Sequence, residues 1–199
     1  MLKSRFITVY IIAFLSILQS EIILPPDSLE NWEILMDDKI WIGWERSGEF
    51  DWCQAKSTLD APISYIRRII EDKKNYPNIF KRIETTKIIT DEIVYIALDM
   101  PFPFASRDYV VKYIQEHVDD EFIYRFYSVI HPEEPLHSKY VRLIHASGGW
   151  RLKSLDSTKT EITYTWNGEL LGDFPNWALT LAWETQGGEV LTWLKEAVK

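Results

Sequence analysis

Cysteine is almost missing from this 199-residue chain. Cys53 stands alone, which excludes an intramolecular disulfide and any multi-cysteine zinc site. It lies in a strand-like run, where an inert buried thiol is expected. Positive charge is short as well: 22 Lys and Arg against 30 Asp and Glu leave a formal net charge of -8. Nucleic acid requires a dense Lys/Arg surface, and docking on anionic lipid by charge alone requires a basic one, so neither fits. The four histidines are His117, His131, His137 and His145, and their spacing matches no recognised metal-ligand pattern. There is no Gly-x-Ser-x-Gly nucleophile elbow and no glycine-rich phosphate cradle; Gly148-Gly149 falls in an expected strand turn. Carboxylate pairs such as Asp119-Asp120 and Glu133-Glu134 read as turn residues. No catalytic residue, metal or cofactor is expected, and no repeat or low-complexity tract occurs.

What is present describes one globular domain. Apolar residues make up 46% of the chain and charged ones 26%, at a length that supports a real core. Nine Trp, ten Tyr and nine Phe form a heavy aromatic load. Core filling accounts for most of it, and apolar ligand pockets are also lined this way.

The N-terminus has the pattern of an export leader. Lys3 and Arg5 precede an apolar run from Phe6 to Leu18, and Gln19-Ser20 offers a small residue for cleavage. Residues 1–20 are therefore expected to be a signal peptide, placing the protein in the periplasm or outside the cell. The alternative is an uncleaved membrane anchor over residues 6–24, although Glu21 interrupts that run and about 20 consecutive apolar residues are wanted for a span. Residues 21–31 read as a linker and the start of an N-terminal helix, with Asp27 and Ser28 as caps and Leu29, Trp32, Leu35 and Met36 at helical spacing.

Beyond it, Ile40 to Arg46 and Trp52 to Leu59 read as a hairpin around Ser47-Gly48. A helix capped by Asp60 carries Ile63, Ile66, Ile69 and Ile70 on one face and ends at Asn75-Tyr76-Pro77. Strands follow at Ile83–Thr90, Ile93–Asp99, Tyr109–His117, Glu121–His131, Tyr140–Ala146, Trp150–Leu155 and Glu161–Leu170, joined mostly by turns short enough for antiparallel pairing. The last alternates cleanly, with Ile162, Tyr164, Trp166 and Leu170 on one face. Asp173 then caps a long C-terminal helix. Gly187-Gly188 in its middle predicts a kink, a hinge or a short loop between two helices, since each Gly costs about 1 kcal/mol in a helix interior. The pattern alone gives an α+β domain.

The most distinctive stretch is Met100-Pro-Phe-Pro-Phe-Ala-Ser-Arg-Asp-Tyr-Val-Val-Lys112, a proline-stiffened apolar turn with an Arg-Asp pair at the start of a strand. With Trp32-Glu33, Ile40-Trp-Ile-Gly-Trp-Glu-Arg46, Asp60-Ala-Pro62, Gly149-Trp-Arg151 and Gly172-Asp-Phe-Pro-Asn-Trp177 in the same order, it resembles bacterial members of the START family, the lipid-transfer domains related to the steroidogenic acute regulatory protein. The resemblance covers residues 32–199. It implies a helix-grip fold, in which a large curved antiparallel sheet wraps a long C-terminal helix. It also implies a lipid or other hydrophobic small molecule held in an internal cavity without covalent chemistry. Transient membrane contact and a monomeric state are expected. The alternative is a helix-grip enzyme of the aromatase/cyclase type.

In START relatives the arginine matching Arg107 often faces the cavity as a polar anchor for the ligand. In some, an acid on the preceding strand pairs with it, whereas Ile93-Val-Tyr-Ile-Ala-Leu98 contains none. Arg107 either takes that anchoring role or bonds Asp108 or loop carbonyls to fix the turn. If it points inward, strand alternation sends Tyr109, Val111 and Tyr113 the same way. Tyr124, Phe126 and Trp166 are further candidates for the ligand site, with Trp177 and Leu181 closing it from the final helix.

Overall fold

The computed structural model describes residues 22–26 and 28–199; the expected leader over residues 1–20 and the Asp27 cap lie outside the described residues. Strands β1 (Glu33–Asp37), β2 (Trp41–Ser47) and β3 (Phe50–Leu59) come first. Helix α1 (Ile63–Glu71), a 3-10 turn over Lys73–Asn75 and the short α2 (Tyr76–Ile79) then carry the chain across. Strands β4 (Ile83–Ile88), β5 (Ile93–Leu98), β6 (Arg107–Val118), β7 (Glu121–Ser128), β8 (Val141–Arg142), β9 (Ser147–Ser154) and β10 (Thr160–Asn167) follow. After a 3-10 turn over Asn176–Ala178, α3 (Leu179–Ala197) ends the fold.

All ten strands form one sheet, ordered β1-β2-β3-β10-β9-β7-β6-β5-β4 with β8 on the side. The crossing through α1 and α2 takes the chain from β3 to the far edge at β4. The chain then works back until β10 pairs with β3, from Thr160↔Leu59 to Asn167↔Trp52. This large antiparallel sheet with its long C-terminal helix is the helix-grip arrangement. The core lies between the inner face and the helices: Ile66 and Ile70 of α1 and Leu191 and Leu194 of α3 are buried with Ile42, Ala55, Leu59, Leu152 and Ile162 from the strands.

Several local expectations are corrected. The segment expected to begin a helix at Leu29–Met36 is extended, and β1 pairs antiparallel with β2 from Glu33↔Trp44 to Asp37↔Trp41. Trp32 sets its ring edge-on to Trp41 at 5.6 Å. Strand pairing and this aromatic contact override a weak local spacing signal. Helix α1 starts after Pro62 rather than on an Asp60 cap, and Pro175 rather than Asp173 precedes the turn into α3. Pro77 does not end the helical region, because it occupies the first turn of α2, where its missing N–H costs nothing. Tyr140–Ala146 contributes only the two residues of β8, paired parallel with β6 at Arg107↔Val141 and Asp108↔Arg142.

Gly148-Gly149 is not a turn; both residues lie within β9. A Cβ on Gly148 would come within 2.4 Å of the Thr165 carbonyl oxygen and 2.7 Å of the Phe126 ring, so side chains are excluded there by neighbouring strands. The same logic removes the expected break in the last helix, since α3 runs unbroken through Gly187-Gly188. A Cβ on Gly187 would meet the Trp166 ring at 3.0 Å and Ala55 and Ile42 at 3.1 Å. Glycine lets the helix settle on β2, β3 and β10. Gly188 has nothing nearer than 3.9 Å.

The two glycines should respond oppositely. Gly187→Val overpacks the contact and should lower stability by about 2 kcal/mol. Gly188→Ala should raise it by about 0.5–1 kcal/mol through helix propensity. Urea unfolding of the two variants checks this.

Candidate functional site

Arg107 and Asp108 open β6, and because successive strand residues face opposite ways they serve opposite sides of the sheet. Asp108 is fully buried on the outer side. Arg142 donates to it twice, Nε to Oδ1 and Nη2 to Oδ2, both at 2.8 Å. Arg142 also donates to the carbonyls of Glu134 at 3.3 Å and Pro135 at 3.1 Å. The connection between β7 and β8 is thereby tied to the outside of the sheet, where the buried carboxylate of Glu134 accepts from Lys87 at 2.6 Å.

Arg107 faces inward and is 2% exposed. Its Nε and Nη2 donate to the carbonyls of Leu170 and Leu171, each at 3.2 Å, and its Nη1 to Ala105. The guanidinium also lies 5.6 Å from the centre of the Phe174 ring. Of the two uses open to it, the loop carbonyls are what it bonds, and Asp108 is engaged elsewhere. No carboxylate pairs with it among the described residues. Burial pushes its pKa down, but a guanidinium remains charged under any ordinary condition. Leu171 has a φ of 47°, a conformation unfavourable for any residue with a Cβ, and Arg107 grips the carbonyls of this residue and the one before it.

Arg107 borders a cavity of about 260 Å3 between α3 and the inner face of the sheet. Its wall holds a row of rings: Phe80 stacks on Trp150 at 6.1 Å, and Trp150 on Tyr164, its cross-strand partner, at 4.3 Å. Strand β6 adds Tyr109 and Tyr113, β7 adds Phe126, and α3 presents Leu181, Thr185, Gln186, Glu189 and Trp193. Arg82, just before β4, holds Glu189 of α3 through two hydrogen bonds, one of them 2.8 Å. Arg82, Glu189 and Arg107 are the charged lining residues. At one end, Phe104 and Phe174 meet with ring centres 4.5 Å apart. Beside them stand three apolar side chains in solvent: Phe102 at 97% exposure, Trp177 at 81% and Leu181 at 63%.

Four phenols line this cavity. Tyr76 donates to the Ile70 carbonyl at 2.6 Å, while Tyr113 has the Tyr76 hydroxyl and Tyr164 the Gln186 amide as polar neighbours. Tyr109 has no hydrogen-bond partner among the described residues. Burial pushes all four well above the ordinary phenol range, so they are neutral donors at any physiological pH.

Of the nine residues the sequence nominated, Arg107, Tyr109, Tyr113, Phe126 and Leu181 come together at the cavity. The other four do not line it. Val111 is buried in a cluster with Val94, Ile96 and Phe126. Tyr124 donates to Glu71 at 2.6 Å and receives Arg67 at 3.1 Å, closing the seam under α1; burial and the Glu71 bond push its phenol up to about 12. Trp166 is core beneath Gly187, and Trp177 lies on the surface by the apolar end. Sequence reasoning missed Tyr76, Phe80, Arg82, Trp150, Tyr164, Phe174 and Glu189 as lining residues. Tyr164 was within reach, since it alternates in phase with Trp166. The others depend on how α2 and α3 sit over the sheet. Among the described residues no group of three or more His, Cys, Asp or Glu could hold a metal ion, and no helix is long and apolar enough to cross a membrane.

The family model for the START domain matches residues 61–198, and the chain belongs to that family. An uncharacterized protein of Pseudomonas aeruginosa is 23% identical over 155 residues, covering 74% of this chain and 77% of that protein. The crystal structure of a STAR-related lipid transfer protein fragment from Xanthomonas axonopodis superposes with a TM-score of 0.74 at 20% identity, covering 85% of this chain and 99% of that one. The Zhui aromatase/cyclase from a Streptomyces species shares the fold more loosely, with a TM-score of 0.52 at 19% identity over 73% of this chain and 92% of that one. The fold therefore occurs in both lipid-transfer proteins and cyclases, and it supports binding of a hydrophobic ligand.

The buried phenols give a pH test. Raised pKa values mean that the folded state holds these protons more tightly than the unfolded chain. Their contribution to stability is complete below the ordinary phenol pKa of about 10 and is lost as pH rises above it. Spectrophotometric titration should show Tyr76, Tyr109, Tyr113 and Tyr164 ionising only as the protein unfolds, and stability falling above about pH 10. Reversible ionisation of all phenols in the folded protein near that pH would contradict the burial described.

Proposed function

We propose that this protein is an exported, monomeric carrier of a single hydrophobic ligand, with no covalent chemistry. The observation that carries this reading is an apolar, ring-lined cavity whose one uncompensated charge is Arg107. Arg82 and Glu189 neutralise each other. An isolated buried charge is costly, and a ligand with one anionic group relieves it. Arg107 spends three of its five N–H donors on carbonyls, leaving two for such a group. The volume is near the low end of the roughly 300–1,000 Å3 usual for small-molecule sites, which suits a fatty acid better than a two-chain phospholipid. Each methylene removed from water contributes about 0.8 kcal/mol, so a long chain binds without a catalytic contact.

Entry and release would use the apolar end. Phe102, Trp177 and Leu181 form an exposed apolar group on an acidic protein, suited to brief contact with a bilayer by insertion rather than by charge. The leader-like residues 1–20 would deliver the protein across the inner membrane and be removed.

The aromatase/cyclase reading has one observation in its favour: Tyr113 and Tyr164 each have a polar partner inside the cavity. Burial raises both phenols, making them good donors and poor bases at neutral pH. That favours recognition over proton abstraction.

Native mass spectrometry of the protein as purified should show a mass excess matching a fatty acid, and delipidated protein should take up palmitate. No excess and no uptake would end the carrier reading. Trp177→Ala should slow transfer of a fluorescent fatty acid between phosphatidylcholine vesicles severalfold while leaving equilibrium affinity within about twofold, because Trp177 stands outside the cavity. Export should give a mature chain beginning at Glu21. An intact N-terminus recovered with membranes would favour the anchor over residues 6–24.

A further inference from the structure

Three of the four cavity phenols have a polar group of the protein beside them. Tyr76 donates to Ile70, Tyr113 has the Tyr76 hydroxyl as a polar neighbour, and Tyr164 has the Gln186 amide. Tyr109 lines the same cavity with no protein partner among the described residues. Tyr109 is half-buried and its hydroxyl opens onto the cavity rather than being sealed in the core, and a polar group set there is still best paired. A hydroxyl on the wall of a largely apolar chamber is accounted for either by a ligand or by trapped water. Its neighbours argue for a ligand. Tyr109 shares a strand face with Arg107, two residues away, so the backbone positions that carry the two polar groups are about 7 Å apart along β6. Tyr113 continues the same line toward α2, and the stacked rings of Trp150 and Tyr164 flank the path.

We infer that Tyr109 is a specificity-determining residue that donates a hydrogen bond to a neutral oxygen in the body of the ligand, so that the cavity selects a hydroxylated or keto lipid over a plain hydrocarbon chain. The inference rests on the carrier reading and adds a substrate class to it. With the anionic end of a fatty acid at Arg107, the Tyr109 hydroxyl meets the chain partway along, beyond the carboxylate and short of the far end. The phenol stays protonated because burial disfavours its anion, so the residue acts only as a neutral reader. A site built around such a donor discriminates in one direction: a chain without the oxygen leaves the hydroxyl unpaired and binds more weakly.

The test compares stearate, 7-hydroxystearate and 7-oxostearate for binding to delipidated full-length protein by calorimetry. Wild type should bind both oxygenated acids about tenfold more tightly than stearate, the size expected of one good hydrogen bond. The keto acid must gain as much as the hydroxy acid, because it can only accept. Tyr109→Phe should reduce the preference to within about twofold. Equal binding of all three acids by wild type would overturn the inference, meaning that water satisfies Tyr109, while leaving the carrier reading intact. A preference that persists in Tyr109→Phe would overturn it too, since another group would then read the oxygen. Failure of all three acids to bind would remove the carrier reading and this inference with it. The comparison in wild type stands whether or not the variant folds.

Discussion

One dipeptide holds the two sides of this molecule together. Strand alternation turns Arg107 inward and Asp108 outward, and each then captures a different loop. Asp108 binds Arg142 and through it the long connection between β7 and β8. Arg107 binds the carbonyls just before the final helix and the turn that leads into β6. Both residues are buried, so neither interaction is the exposed kind that solvent weakens to almost nothing. Removing either charge would strand its partners in a dry environment. The cavity, the turn before β6 and the last helix take their positions from this point on β6.

Much of this was legible in the sequence where period and composition agreed. The alternation in β10, the Ile face of α1 and the short turns between strands gave the elements, and the ordered motifs gave the family. The inward path of Arg107, Tyr109 and Tyr113 followed from a period of two. Legibility failed where a residue is chosen for what another segment brings to it. Gly187-Gly188 looked like a break because propensity counts a glycine's cost, whereas the gain comes from Trp166, Ala55 and Ile42 approaching across the fold. Gly148-Gly149 looked like a turn for the same reason. Trp32 and Met36 looked helical because spacing does not know that β2 is waiting to pair. The missed lining residues Phe80, Trp150 and Glu189 belong to three separate elements that only the folded chain assembles.

The final helix is held unequally. Along β2 and β3 it rests on close glycine contact and on buried Leu191 and Leu194. Along the β4 edge its ties include ion pairs, Arg82 with Glu189 and the exposed Lys81 with Glu196. The first side is dry and does not depend on salt, while the second is partly wet. Any motion that opens the cavity is therefore expected to keep the β3 side closed and part the β4 side.

The pairing of β3 with β10 also sets the order in which the molecule can form. Gln54 bonds Thr165 across 111 residues of chain. The first three strands thus have no place in the large sheet until nearly everything else has been made. Closing so long a loop is entropically expensive and slow, and until it closes, the ring-rich inner face has no cover. The helix that covers it comes last of all. A chain of this kind gains cover for that face only once α3 has been made and docked.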